Sequence, residues 1–293
     1  MADLPVTAKG MRSDGIELLA ALMKGRRVLA LSGAGMSTES GIPDYRGPRS
    51  VRRRTRPIYY REFVENPASR ARYWARSAVG WPHVSAARPN RGHEALARME
   101  GSDAITGVVT QNVDGLHQAA GSVNVLELHG TLAEVVCLSC GTRERRAALQ
   151  QRILSSNPAW AEGDFRTASA EPDGDARLEP PTDNSFQVPA CLHCGGVLKP
   201  DVIFFGENVP RARVERAFAM LKEADVLLVV GSSLAIYSGY RFVLQARDDE
   251  KPVAIVNQGP TRGDPLAAVR IEAALGDALP RLERSLFLPP ATA

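Results

Sequence analysis

Four short apolar runs in this 293-residue chain each end in a small polar cluster, and that pattern limits the fold more than any other feature. Residues 28–31 run into Ser32-Gly33-Ala34-Gly35, and Val108-Val109 runs into Thr110-Gln111-Asn112-Val113-Asp114-Gly115. Val226–Val230 ends at Gly231-Ser232-Ser233, and Val253–Val256 ends at Asn257-Gln258-Gly259. Short β-branched runs between helical stretches read as buried parallel strands. Open α/β sheets bind ligands beyond the carboxyl ends of such strands, so the polar clusters are expected to converge on one nucleotide-sized crevice.

Between the runs, apolar residues at Ile16, Leu18, Leu19, Leu22 and Met23 predict a helix over 14–24, with Asp14 as N-cap and Gly25 as stop. Strands are expected over 104–110 and 123–128, with a short apolar run at 202–205. Residues 61–98 carry helical patterns broken at Pro67, Pro82 and Pro89; further helices are expected at 143–154, 210–223, 240–247 and 264–275. The stretch 170–181, rich in Pro, Asp and Gly, reads as an exposed loop. Both Cys-x-x-Cys pairs of the chain, 137/140 and 191/194, fall in one insertion, so the expected fold is α/β: a Rossmann-like parallel sheet with an inserted small zinc-binding domain and a helical module. The discontinuous sheet domain would comprise 1–53, 96–134 and 196–293, the helical module 54–95 and the small domain 135–195.

A hydrophobic fraction of 44% and a charged fraction of 24% are those of an ordinary globular protein, and a net charge of +3 gives no argument for nucleic acid. No stretch approaches the ~20 apolar residues of a membrane helix, and residues 1–15 show neither a signal core nor a presequence, so a cytoplasmic protein is expected. The four cysteines occur as Cys137-x-x-Cys140 and Cys191-x-x-Cys194. In a reducing compartment two such pairs favour a metal over disulfides, and four thiolates suffice for one closed, structural Zn2+ site. Fifty intervening residues exceed the spacing of a compact zinc ribbon, but every cysteine in the chain is used. Gly33-Ala34-Gly35-x-Ser37 follows a strand; such glycines let backbone approach a pyrophosphate, although Thr38 stands where the dinucleotide fingerprint has its third glycine.

The run from Gly33 to Arg46, Gly-Ala-Gly-Met-Ser-Thr-Glu-Ser-Gly-Ile-Pro-Asp-Tyr-Arg, resembles the signature of the sirtuins, NAD-dependent protein deacylases. Thr110-Gln111-Asn112-Val113-Asp114-Gly115-Leu116-His117 resembles their second signature, and Leu126-Glu127-Leu128-His129-Gly130 the segment holding their catalytic histidine. The two cysteine pairs, the run from Lys199 to Glu207, Gly231-Ser232-Ser233 and Val256-Asn257 complete the pattern in order over about residues 14–285. Arg72-Tyr73-Trp74-Ala75-Arg76, Val79-Gly80-Trp81-Pro82, Tyr237-Ser238-Gly239-Tyr240-Arg241-Phe242 and the run from Asn257 to Arg262 are similar to the mitochondrial class II branch, in a bacterial member.

The resemblance implies a reaction and a set of roles. The acyl-lysine oxygen displaces nicotinamide at the ribose carbon of NAD to give an imidate; a ribose hydroxyl, relieved of its proton by a general base, then attacks the imidate carbon, and hydrolysis releases deacylated lysine and O-acyl-ADP-ribose. His129 would be the base, for which a group titrating near neutrality is suited, and His117 is its rival. Asn112 and Asp114 would position the nicotinamide ribose and carboxamide, and Gln111 a ribose hydroxyl. Gly33, Ala34 and Gly35 would meet the phosphates, and Asp44, Tyr45 and Arg46 would close over the cofactor and exclude water. Gly231, Ser232, Ser233, Asn257, Gln258 and Gly259 would contact adenosine and phosphate, with Leu275 beside the adenine.

An acylated-lysine peptide would add as a strand along Val202, Phe204 and Gly206 and the segment after Ser233. Tyr73 and Arg76 match the Tyr-x-x-Arg pair with which some sirtuins bind acidic acyl groups; they read equally as packing residues beside Trp74. The basic run Arg49, Arg52, Arg53, Arg54 and Arg56 departs from the family pattern and reads either as a phosphate contact or as a solvated loop. Two other functions share parts of this pattern: NAD-dependent mono-ADP-ribosyl transfer onto protein, and a zinc-stapled nucleotide sensor or nucleic-acid binder. The set of His129, Asn112 and Asp114 argues against the last.

Overall fold

The computed structural model describes residues 6–8, 13–46, 57–158, 160, 174–176 and 186–287; the arginine-rich loop 49–56 lies outside them. The predicted runs become β2 (Val28–Ser32), β3 (Gly107–Thr110), β4 (Val125–Glu127), β8 (Val226–Val230) and β9 (Val253–Val256). With β1 (Val6–Ala8) and β10 (Val269–Ile271) they form a seven-stranded sheet of order β1-β10-β9-β8-β2-β3-β4, all pairs parallel. The chain leaves β2 toward β3 on one side and crosses to β8 on the other, so the switch in strand order falls between β2 and β8.

Strand alternation builds two apolar layers. Val28 and Ala30 of β2, with Val226, Leu228 and Val230 of β8, face α1 (Ser13–Met23), α4 (Arg91–Gly101) and the C-terminal helix α9 (Leu275–Phe287) through Leu19, Leu96, Met99 and Leu279. Leu29, Leu31, Leu227 and Val229 face α7 (Arg211–Glu223) and α8 (Tyr237–Asp248) through Leu221, Phe242 and Val243. Both faces are buried, as parallel strands require.

A separate antiparallel sheet, β6-β5-β7, consists of β5 (Gly130–Cys137), β6 (Arg143–Arg145) and β7 (Leu198–Val202). It shares one core with α2 (Tyr60–Glu65), α3 (Pro67–Ala86) and α6 (Arg146–Ser156), the helix that follows the short α5 (Leu116–Ala119): Phe63, Trp74, Val135, Leu149, Ile153 and Leu198. The helical module and the cysteine-bearing segment therefore pack as one layer against the cleft.

Three expectations differ from the structure. Pro82 does not end α3. A proline leaves the carbonyl four residues back without its amide partner, and here Gln150 Nε2 donates to Ala78 O at 2.8 Å instead. The stretch 264–275 is a short turn followed by β10 rather than a helix, because Val269–Ile271 pairs with Ala254, Ile255 and Val256. Part of the expected exposed loop is buried: Ala176 is inaccessible, and Gly174 backs so closely onto α3 that a Cβ on Gly80 would collide with its carbonyl.

Candidate active site

A cleft of about 850 Å3 opens along the carboxyl ends of β2, β3, β8 and β9, within the size range of small-molecule sites. Gly33, Ala34 and Gly35 line it, as do Asp44, Tyr45 and Arg46, and Gln111, Asn112, Asp114 and His129. So do Gly231, Ser232 and Ser233, Asn257, Gln258 and Gly259, Leu275, Val202, Phe204, Gly206 and Tyr73. Arg76 is not among the lining residues. Its guanidinium pairs with Asp175 at 3.1 Å, both side chains nearly inaccessible, and it is Asp175 that lines the cleft.

The strand ends hold each other closely. The amides of Gly33 and Gly35 donate to the carbonyls of Val230 and Gly231 at 3.1 and 2.8 Å, and a Cβ on Gly33 would stand 2.8 Å from that of Ser232. These two glycines thus let two loops meet back to back, and their amides serve that junction.

On the β3 loop, Asn112 Nδ2 donates to Gly33 O and to Ser37 Oγ, each at 3.1 Å. Ser37 in turn donates to Asp114 Oδ2 at 2.6 Å, so it joins the two motifs. Burial pushes the Asp114 carboxyl above its ordinary range, against the donors Ser37 and the Leu116 amide. Gln111 Nε2 donates to Ser232 Oγ at 2.9 Å.

His129 is held at both ring nitrogens. The Gln111 carbonyl, 2.9 Å from Nδ1, can only accept, so Nδ1 carries the proton. Nε2 then bears the lone pair, and the Ser238 hydroxyl donates to it at 2.8 Å. Burial lowers the imidazole to about 4, with Arg241 and Arg213 adding to the effect, so at neutral pH it is a free base. His117, by contrast, is buried away from the cleft, its Nε2 2.8 Å from Ser32 Oγ. The loop after β7 is shaped by Glu207, which accepts from the Phe204 amide at 2.8 Å and pairs with buried Lys199 at 3.0 Å.

Among the lining residues that the sequence did not single out, Ser37, Ser238 and Asp175 are those whose side chains bond to candidate site residues: Ser37 to Asp114, Ser238 to His129 and Asp175 to Arg76. Ser37 and Ser238 stood inside quoted motifs, so only their partners were hidden; nothing local marks Asp175.

The cysteine pairs lie on two matching turns. Gly141 N donates to Cys137 O at 2.9 Å and Gly195 N to Cys191 O at 2.8 Å, each glycine at φ 72°. The four sulfurs lie within 4.8 Å of one another, with Cys137 to Cys194 at 3.5 Å and Cys140 to Cys191 at 3.8 Å. Tetrahedral Zn–S bonds of about 2.3 Å place sulfurs about 3.8 Å apart. Four thiolates at that spacing fit one structural zinc ion with no open position. The cleft, with its amide, carboxylate and imidazole groups at strand ends, likewise fits NAD. Among the described residues no helix is long and apolar enough to cross a membrane.

Comparison with known proteins agrees with this geometry. The chain is 51% identical over 277 residues to an NAD-dependent protein deacetylase 1 of Streptomyces coelicolor, covering 94% of this chain and 88% of the relative. It is 51% identical over 259 residues to an NAD-dependent protein deacetylase of Xanthomonas campestris, covering 88% and 87%. A solved structure described as "Structural Basis for the Mechanism and Regulation of Sir2 Enzymes" superposes with TM-score 0.73 at 30% identity, over 94% of this chain and 98% of that one. Another, "Sir2-p53 peptide-NAD+", gives 0.70 at 29%, over 91% and 95%. A family model described as "Sir2 family" matches residues 33–238, and the chain belongs to that family, the sirtuins.

Proposed function

We propose that this chain removes acyl groups, acetyl among them, from protein lysines in the cytoplasm with NAD as co-substrate, releasing nicotinamide and O-acyl-ADP-ribose. The observation that carries the reading is His129: a neutral imidazole with Nδ1 tethered to a carbonyl and with Nε2, the acceptor of the Ser238 hydroxyl, at a cleft lined by Asn112 and Asp114. Bound NAD supplies an electrophilic ribose carbon and the hydroxyl that accepts the acyl group. His129 Nε2 takes up that hydroxyl's proton, a task that arises only after nicotinamide has left. Asn112 and Asp114, locked together through Ser37, orient the ribose and carboxamide, and Gln111 holds a ribose hydroxyl. Asp44, Tyr45 and Arg46 close over the site and keep water from the activated sugar.

The substrate peptide lies between the 202–206 segment and residues 234–236. Tyr59, Phe205, Ile236 and Tyr237 are well exposed large hydrophobic side chains on these and adjoining segments, where an extended peptide would cover them. Tyr73 faces the acyl chain, while the Arg76 charge is already matched by Asp175. The zinc ion joins the two cysteine turns and takes no part in the chemistry.

Mass spectrometry of the purified protein with NAD and acetyl, long-chain, lipoyl and dicarboxylic lysine peptides tests the reading. Acyl-ADP-ribose matched to a consumed peptide is the expected product. No peptide turnover, with protein gaining ADP-ribose, would replace the deacylase with a mono-ADP-ribosyltransferase.

A further inference from the structure

The nitrogen of His129 that must accept a proton is already engaged by Ser238, from an element distant in sequence. Ser238 is the second residue of α8, and Ser238 lines the cleft. That helix reaches His129 because Gly239 has no side chain: a Cβ there would collide with Oε1 of Gln111, the residue whose carbonyl holds the other edge of the imidazole. The Ser238 carbonyl also accepts from Arg241 Nε at 3.2 Å, which fixes the first turn of the helix. The hydrogen bond at Nδ1 restrains the turn of the imidazole about its Cβ–Cγ bond from one side of that axis, and the second one at Nε2 restrains it from the other, so the two together hold the ring plane. A hydroxyl that donates to Nε2 also favours the neutral ring, as do the charges of Arg241 and Arg213, the charged groups that act on it.

We propose that Ser238 is the positioning residue of His129: its hydroxyl holds the imidazole in the plane and tautomer in which Nε2 meets the cleft, and gives up that nitrogen when the ribose hydroxyl arrives. The proposal rests on His129 being the base. Ser238 donates no group to the product; it acts through His129 by preventing rotation and early protonation.

The test uses the zinc-loaded full chain with NAD and an acetyl-lysine peptide, comparing Ser238→Ala and Ser238→Thr. Loss of one hydrogen bond of this kind corresponds to about a tenfold fall in kcat for Ser238→Ala, with KM for both substrates within about twofold. Exchange of labelled nicotinamide into NAD stays at its original rate, because it precedes the base step. The acidic limb of the kcat–pH profile moves to higher pH, since the ring protonates more readily without its donor. Ser238→Thr, which keeps the hydroxyl, retains at least about half of the original kcat and the original profile. A kcat for Ser238→Ala within twofold of the original, or equal losses of deacetylation and exchange, would overturn the assignment. Should Ser238→Ala fail to fold, Ser238→Cys, similar in size but a weak donor, is read the same way. His129→Ala separates the two levels: an active His129→Ala removes the base and this proposal with it, whereas an inactive one beside a normal Ser238→Ala removes only Ser238.

Discussion

Two histidines follow nucleotide-site motifs in this chain, and they stand in different surroundings. His117 packs its ring against His93, centroids 4.9 Å apart, and burial with the neighbouring imidazole lowers it to about 3. His129 opens on the cleft. His129→Ala should therefore lower deacylation at least about a hundredfold, the usual range of a lost general base, while calorimetry still detects NAD binding. His117→Ala should instead lower the melting temperature. The same burial makes stability depend on pH. His93 is lowered to about 4 by burial alone, so the unfolded chain takes up protons below pH ~6.5 that the folded protein refuses. Stability from this group is complete above that pH and is lost as pH falls toward 4, about 2 kcal/mol of it by pH 5. Denaturant melts at pH 7.5 and 5 should show that loss, and His93→Gln should reduce it; a stability that rises on acidification would contradict the sign.

At the scale of elements, close approach explains positions that composition cannot. Gly130 links His129 to β5 at φ 82°, and a Cβ there would run into the carbonyl of Asp201 on β7. Gly130→Ala should cost at least about 2 kcal/mol, combining left-handed strain with a backbone clash, and should displace His129; urea melts and kcat report the two effects. Arg76 illustrates the converse. Its side chain stands in a motif that suggests acidic acyl groups, but the buried pair with Asp175 ties α3 to the 174–176 segment, together with the Ala176 amide on the Arg76 carbonyl at 3.1 Å. Breaking such a pair from one side costs roughly 3 kcal/mol or more, so Arg76→Ala should lower stability before it changes acyl preference. Unchanged melting with a selective loss of dicarboxylic substrates would reverse that order.

Over the whole molecule, the zinc turns and the cleft are joined by one core. Cys137, Cys191, Tyr73, Trp74, Val202 and Phe204 belong to the same apolar cluster, and Tyr73, Val202 and Phe204 also line the cleft. Cys191→Ser should lose zinc by elemental analysis and lower the melting temperature by about 10 °C or more, with activity falling in parallel. Full metal content in that variant would exclude the four-thiolate site. Chelation of the native protein should give the same losses, restored by zinc.

The sequence by itself determined five of the seven parallel strands, the polar clusters at their ends and the cysteine pairs, because each is written in local chemistry: period, β-branching and ligand spacing. Tertiary structure decided what those signals could not express. The strand at Leu198–Val202 contains Lys199 and Pro200 and is set by pairing with β5, while β10 is set by pairing with β9. Likewise, Asp175 meets Arg76 across 99 positions of sequence, and Ser238 meets His129 across 109, so neither partner can be read from its own neighbours. Local propensity names the groups; only the packing of distant segments brings the second donor to an imidazole or the counter-charge to a guanidinium.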